Sequence, residues 1–294
     1  MRQPIDRRAF LALGVGAVAW SCSRKGGDRT NEPGAAAVSV AVTSLQLAVG
    51  DTRNAFAVLR GQNPYVPDEL TARLVDPARK SRRIKVERQR IGFGPGGDEA
   101  GTEIEDIFTF RHDFDTPGVW GVDVRADGKR SQGAFQVLSR KQARSPLVGE
   151  EAIGSESPTV DDARGVDPIC TRKPRCSMHE LTIAQALDAG KPAVVTFGTP
   201  RFCTSRTCGP VVDIVEDQAK RVGDAASFVH VEVWRNDDDS VNKPGGEAPA
   251  FAEWKLGTEP WVYFIGADGV IADRWLGALG SKELRARVDS LIRS

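Results

Sequence analysis

The chain has 294 residues, 40 % of them apolar, and its 40 lysines and arginines balance 40 aspartates and glutamates. With zero net charge nothing argues for a nucleic-acid partner or a polybasic membrane patch, and no internal stretch is long and apolar enough to span a bilayer. The length predicts two domains.

The first 22 residues differ from the rest. A basic start, an apolar run from Ala9 to Trp20 and small residues after it make a secretory signal whose apolar core is too short for a membrane helix. Arg7-Arg8 followed by Ala9-Phe10-Leu11 resembles a twin-arginine export signal. The run ends at Ser21-Cys22, where a lipoprotein signal places its acylated cysteine, so Cys22 is the expected lipidation site. The chain is therefore expected to be exported, either to the outer face of the cell membrane or into the medium. Residues 23–37 are polar and Gly-rich, a flexible tether.

Residues 38–138 carry short β-like runs, among them "VSVAVTSLQLAVG", "LTARLVD", "IEDIFTFRHDF" and "GVWGVDVRADG", separated by turn residues at intervals near ten. That spacing predicts an immunoglobulin-like β-sandwich without the inter-sheet disulfide. "GFGPGG" (Gly92 to Gly97) lacks a following helix pattern and reads as a turn, and His112 reads as an exposed loop histidine. Residues 139–180 read as a linker.

Five cysteines are present: Cys22, Cys170, Cys176, Cys203 and Cys208. With Cys22 lipidated or removed, four remain as two close pairs, and in an oxidising compartment disulfides are expected. Cys170 and Cys176 bracket "TRKPR", and a structural bridge there would close a small ring. His112, His179 and His230 are scattered and no C-x-x-C pair flanks them, so neither a metal nor another cofactor is expected.

From residue 181 the pattern changes. "LTIAQALDAGKP" predicts a short helix capped by Thr182, with Gln185 reaching back, and "AVVTFGT" a buried strand. Cys203 and Cys208 come next, then a helix whose apolar face holds Val211, Val212, Ile214, Val215, Ala219 and Val222. "SFVHVEVW" predicts a strand and "APAFAEWKLG" a helix. A hairpin turns at Asp268-Gly269, and a last helix runs over "SKELRARVDSLI".

The β–α–β–α–β–β–α order, the cysteine pair between the first strand and its helix, Glu259-Pro260 before a strand and Gly277 before the last helix together resemble a thioredoxin-like fold over residues 181–294. The whole arrangement resembles a group of actinobacterial-type exported thioredoxin-like lipoproteins. The expected fold class is therefore two-domain, an all-β immunoglobulin-like sandwich followed by an α/β thioredoxin-like domain. The resemblance implies a proline in the cis form at Pro260, presenting substrate backbone beside the sulfurs. The chain departs from the family pattern in having four residues between its cysteines, with Gly209-Pro210 after the pair rather than inside it.

Residues five apart in a regular helix stand about 8–9 Å apart at Cα, beyond the roughly 7 Å that a disulfide allows. The pair can therefore close only if Cys203 lies in a loop and Cys208 at the edge of the first turn. There Cys203 would be the attacking sulfur, its thiolate favoured by the helix start and by Arg201 and Arg206. These residues point to a membrane-tethered thiol–disulfide oxidoreductase whose partners are the thiols or disulfides of exported proteins. Cys203 and Cys208 would be catalytic, with Pro260, Glu259 and Arg206 binding substrate. The alternatives are a non-catalytic binding module with structural disulfides and a peroxiredoxin-type peroxidase. Thr199, four residues before Cys203 rather than three, speaks against the peroxidase.

Overall fold

Alternation of apolar and polar residues builds the first half of the chain. In a computed structural model, residues 37–91, 106–203, 207–236 and 240–294 are described. The expected signal over residues 1–22, Cys22, nearly all of the tether, the "GFGPGG" turn and Arg206 lie outside them. Strands β1 (Val38–Val42), β2 (Gln46–Ala48), β3 (Gly50–Arg60), β4 (Asn63–Pro64), β5 (Leu70–Val75), β6 (Ser81–Ile84), β7 (Glu87–Arg90), β8 (Asp106–Phe114), β9 (Gly118–Ala126) and β10 (Lys129–Leu138) form two sheets. One has the order β1-β3-β8-β7 with β4 beside β3, and the other β2-β10-β9-β5-β6. Phe56, Val58, Phe108 and Phe110 of the first sheet meet Leu74, Trp120, Val122, Val124 and Phe135 of the second in one apolar core, as two facing sheets require. His112, expected in an exposed loop, is a half-buried residue of β8.

The second half adds α1 (Ile183–Asp188), β11 (Ala193–Phe197), α2 (Cys208–Val222), β12 (Ser227–Val231), α3 (Pro249–Glu253), β13 (Trp261–Ile265), β14 (Ile271–Leu276) and α4 (Ser281–Arg293). Its sheet has the order β12-β11-β13-β14, with β11 parallel to β12 and antiparallel to β13. β11 is buried along its whole length, so its consecutive valines face different cores. Val194 packs with α2 and α4 through Val212, Val215, Leu284 and Val288. Val195 packs with Phe251 and Trp254 at α3 and with Ile183 and Ala186 of α1. Thr182 and Gln185 form a reciprocal capping box at α1.

The expected fold class is corrected. Residues 36–294 form one compact unit rather than two domains, and the described residues are predominantly β, with fourteen strands in three sheets against four α-helices. The helical patterns at "LTIAQALDAGKP" and "APAFAEWKLG" yield helices of only six and five residues, so the helical layer expected of an α/β thioredoxin-like domain is thin.

Buried polar groups explain the single unit. Arg53 of β3 is 2 % exposed, and its Nε donates to Glu283 Oε2 of α4 at 3.0 Å. Its second amino group donates to the Ala278 carbonyl at 2.8 Å, and the guanidinium lies 4.9 Å from the Trp275 ring centroid. Ser44 donates to the Leu276 carbonyl, and Arg111 of β8 pairs with the buried Asp273 of β14 at 2.8 Å. Ala55, Ala57 and Ile107, on the outer face of the β3–β8 sheet, share an apolar core with Leu284 and Leu291 of α4.

Candidate functional site

Two groups of reactive side chains lie at one end of β11. In the first, Cys203 and Cys208 are joined by a disulfide with their Cα atoms 6.0 Å apart, within the range such bridges need. Cys203 lies in irregular backbone and Cys208 is the first residue of α2. Cys203 is 8 % exposed and Cys208 fully buried, so Cys203 is the sulfur nearer solvent. Gly198, just after β11, sits where a side-chain carbon would meet Cys208 and Pro260 at 3.5 Å. The Glu259–Pro260 peptide bond is cis.

Glu259 faces this bridge. Its Oε2 accepts from the Thr199 amide at 2.5 Å and lies 3.4 Å from Cys208 Sγ. Burial pushes its carboxyl up to about 7, against the pull of the Thr199 amide, with the Glu232 carboxylate adding to the rise and His230 opposing it. The sequence pointed to Glu259 as a substrate contact; its position against the buried sulfur needs the tertiary structure.

The second group overturns two expectations. The predicted Cys170–Cys176 bridge is corrected: both are free cysteines, with sulfurs 3.9 Å apart. The expectation that the histidines are scattered is corrected as well, because His179 and His230 converge on the same two sulfurs. Cys176 Sγ is 3.2 Å from His179 Nε2 and 3.3 Å from His230 Nδ1. Cys170 Sγ is 3.8 Å from His230 Nδ1, and the two imidazole nitrogens are 3.2 Å apart. All four residues are buried. The available sequence signal was the Cys176–His179 spacing, a ligand pair on one short loop; His230 comes from β12 and could not be paired with it by spacing.

Charges inside this group are interdependent. A hydrogen bond from Cys176 pulls the Cys170 thiol down, and the same bond with burial pushes Cys176 up. Burial lowers His179. It would also lower His230, but the adjacent Cys170 sulfur raises that imidazole to about 9.

Loop 170–179 is held against α2 and β12 by several polar contacts. Arg172 pairs with Asp213 and with Glu216 of α2, and it donates to the Pro174 carbonyl at 2.7 Å. Glu216 accepts from the Ser177 amide at 2.9 Å. Glu232 accepts from the Thr171 amide and hydroxyl, at 2.5 and 2.9 Å, and burial raises its carboxyl to about 7. The Thr171 hydroxyl also accepts from the Arg201 amide at 3.2 Å, joining this loop to the one that carries Cys203.

No protein-family model matches the chain, and no curated protein matches it. Among solved structures, a DUF4785 family protein from Legionella pneumophila is similar at a TM-score of 0.22, with 14 % identity over 34 % of this chain. The chain spans 27 % of that protein's length. At that score the likeness carries no argument about fold or function. The resemblance to exported thioredoxin-like lipoproteins is corrected accordingly: no matching family supports it, and the described chain is predominantly β.

Proposed function

We propose that the chain is a thiol–disulfide oxidoreductase of exported proteins, with Cys203 and Cys208 as its redox centre. One observation carries the reading: the bridge closes onto the first residue of a fifteen-residue helix, with a carboxylate oxygen of Glu259 3.4 Å from the buried sulfur. A helix N-terminus stabilises a thiolate, and a carboxyl group titrating near 7 can take or return a proton at physiological pH.

In the reducing direction the dithiol form acts in two steps. The Cys203 thiolate attacks one sulfur of a partner disulfide, whose S–S bond breaks, and the other partner sulfur leaves as a thiolate. Cys208 then gives its proton to Glu259, and its thiolate attacks the Cys203 sulfur of the mixed disulfide. The second partner thiolate is released and the Cys203–Cys208 bridge forms, two electrons having passed to the partner. Oxidation of partner thiols is the reverse sequence. Pro260 and Cys208 both flank Gly198, and Pro260 would wall the site on the substrate side. The export signal, with a lipid on Cys22, would hold this centre outside the cytoplasm at the membrane face, where partner proteins carry disulfides.

The test is the reduction potential of the pair, read by equilibrating the protein in thiol buffers and trapping the free cysteines for peptide mass spectrometry. A potential between about −270 and −120 mV, the range of exchange proteins, supports the reading. A potential below about −300 mV marks a structural bridge and would leave a binding module. A Cys208→Ser variant should accumulate mixed disulfides through Cys203.

A further inference from the structure

We propose that Cys170, Cys176, His179 and His230 form a closed zinc site that is separate from the Cys203–Cys208 pair. Four donors of the types zinc prefers, two sulfurs and two imidazole nitrogens, lie within 4.8 Å of one another in the buried interior. A tetrahedral zinc ion with Zn–S near 2.3 Å and Zn–N near 2.05 Å places its ligands about 3.8 Å apart for S···S, about 3.5 Å for S···N and about 3.3 Å for N···N. The corresponding distances are 3.9 Å between the sulfurs, 3.2 and 3.3 Å from the Cys176 sulfur to the two imidazoles, 3.8 Å from the Cys170 sulfur to His230, and 3.2 Å between the nitrogens, with the Cys170 sulfur and His179 within 4.8 Å of each other. Five of the six ligand-to-ligand distances thus lie within about 0.4 Å of those of a tetrahedral zinc site.

The surroundings suit a metal ion better than an apolar pocket of thiols. His230 Nε2 lies 2.8 Å from the Gly198 carbonyl, a partner that fixes the proton on Nε2 and turns the Nδ1 lone pair toward the sulfurs. His179 turns its Nε2 toward the cluster, 3.2 Å from the Cys176 sulfur, while its Nδ1 is buried on the far side of the ring. Two thiolates, two neutral imidazoles and one divalent cation sum to zero charge, so the ion can sit in the interior without an unpaired charge. Four protein ligands leave no open position, which marks a structural rather than a catalytic centre. The ion would fasten loop 170–179 to β12. The sulfurs of the redox pair are not needed for it.

The test uses the full chain, purified with reductant and without oxygen, titrated with Zn(II) and, as a coloured stand-in, with Co(II). About one zinc ion per chain is expected, with a tetrahedral cobalt spectrum carrying thiolate-to-metal charge transfer. X-ray absorption at the zinc edge of the wild-type protein should give two sulfur and two nitrogen neighbours, a readout that does not depend on any variant folding. Stoichiometric zinc should persist in the Cys203→Ser/Cys208→Ser double variant and fall at least about tenfold in Cys176→Ser. Failure of the reduced wild-type chain to bind the ion overturns the proposal. So does a first shell other than two sulfurs and two nitrogens, loss of the metal with the Cys203/Cys208 double variant, or its full retention in Cys176→Ser.

Discussion

Glu259 Oε2 stands 3.4 Å from Cys208 Sγ while accepting a hydrogen bond from the Thr199 amide. The carboxyl group is thereby tied to the strand end that carries the redox loop and aimed at the buried sulfur. Its protonation, set near 7 by burial, should govern how fast Cys208 resolves a mixed disulfide. The wild-type rate is expected to rise with pH through about 7 as the carboxylate becomes able to accept the thiol proton. Glu259→Gln should lose that inflection and slow resolution at pH 8 by about 10- to 100-fold. Stopped-flow thiol release across pH 5 to 9, about two units either side of neutrality, is the measurement.

The same carboxyl group has a signature in stability. Its folded-state value is raised from 4.5 to about 7, so the native state keeps a proton that the unfolded chain gives up. This contribution is fully present below pH 4.5 and is lost as pH rises through about 7. At about 1.4 kcal/mol per pH unit the loss is at most roughly 3 kcal/mol. The charges that face Glu259 and modify the window are Glu232, which raises it, and His230, which lowers it. Urea midpoints of Glu259→Gln should fall less between pH 5 and 8 than those of the wild type, a window that spans the shift.

Arg53→Ala would leave Glu283 and the Ala278 carbonyl without their partner at a buried junction. Breaking such a pair from one side costs about 3–5 kcal/mol. Glu283→Ala should cost a comparable amount, and the double variant less than the sum of the two. Chemical denaturation of the four proteins, analysed as a double-mutant cycle, measures this. Additive losses would mean that the pair does not join the two halves energetically.

Gly277→Ala should be destabilising by about 1–3 kcal/mol. The residue has φ +85°, and an added side-chain carbon would come within 2.4 Å of the Thr43 carbonyl oxygen. Neither the left-handed backbone nor the approach of the β1–β2 connection tolerates a methyl group there. A melting temperature unchanged from wild type would contradict this.

Some of this was legible in the amino-acid order because local chemistry decides it. Val122, Val124 and Ala126 alternate along β9 and are buried together. Pro200 and Gly209-Pro210 around a five-residue cysteine spacing predict an irregular approach to a helix, and Cys208 opens α2. What was hidden depends on long-range contacts. His230 and His179 are 51 residues apart and meet only because β12 lies under loop 170–179. Arg53, a charged residue in the interior of β3, is buried because a helix 230 residues later supplies its carboxylate. The expectation of two domains failed for the same reason: no local pattern reveals that the outer face of one sheet is covered by the last helix of the chain.

The Arg53–Glu283 junction also bears on how the protein is made. Synthesis runs from the N-terminus at about 5–20 residues per second, so β3 leaves the ribosome long before α4 exists. Until α4 (Ser281–Arg293) emerges, a guanidinium and the apolar face around Ala55, Ala57 and Ile107 await their cover. The nascent chain thus stays open on this face until α4 has been made, and a translation product cut short before α4 would present that uncovered face to whatever cellular machinery receives unfinished chains.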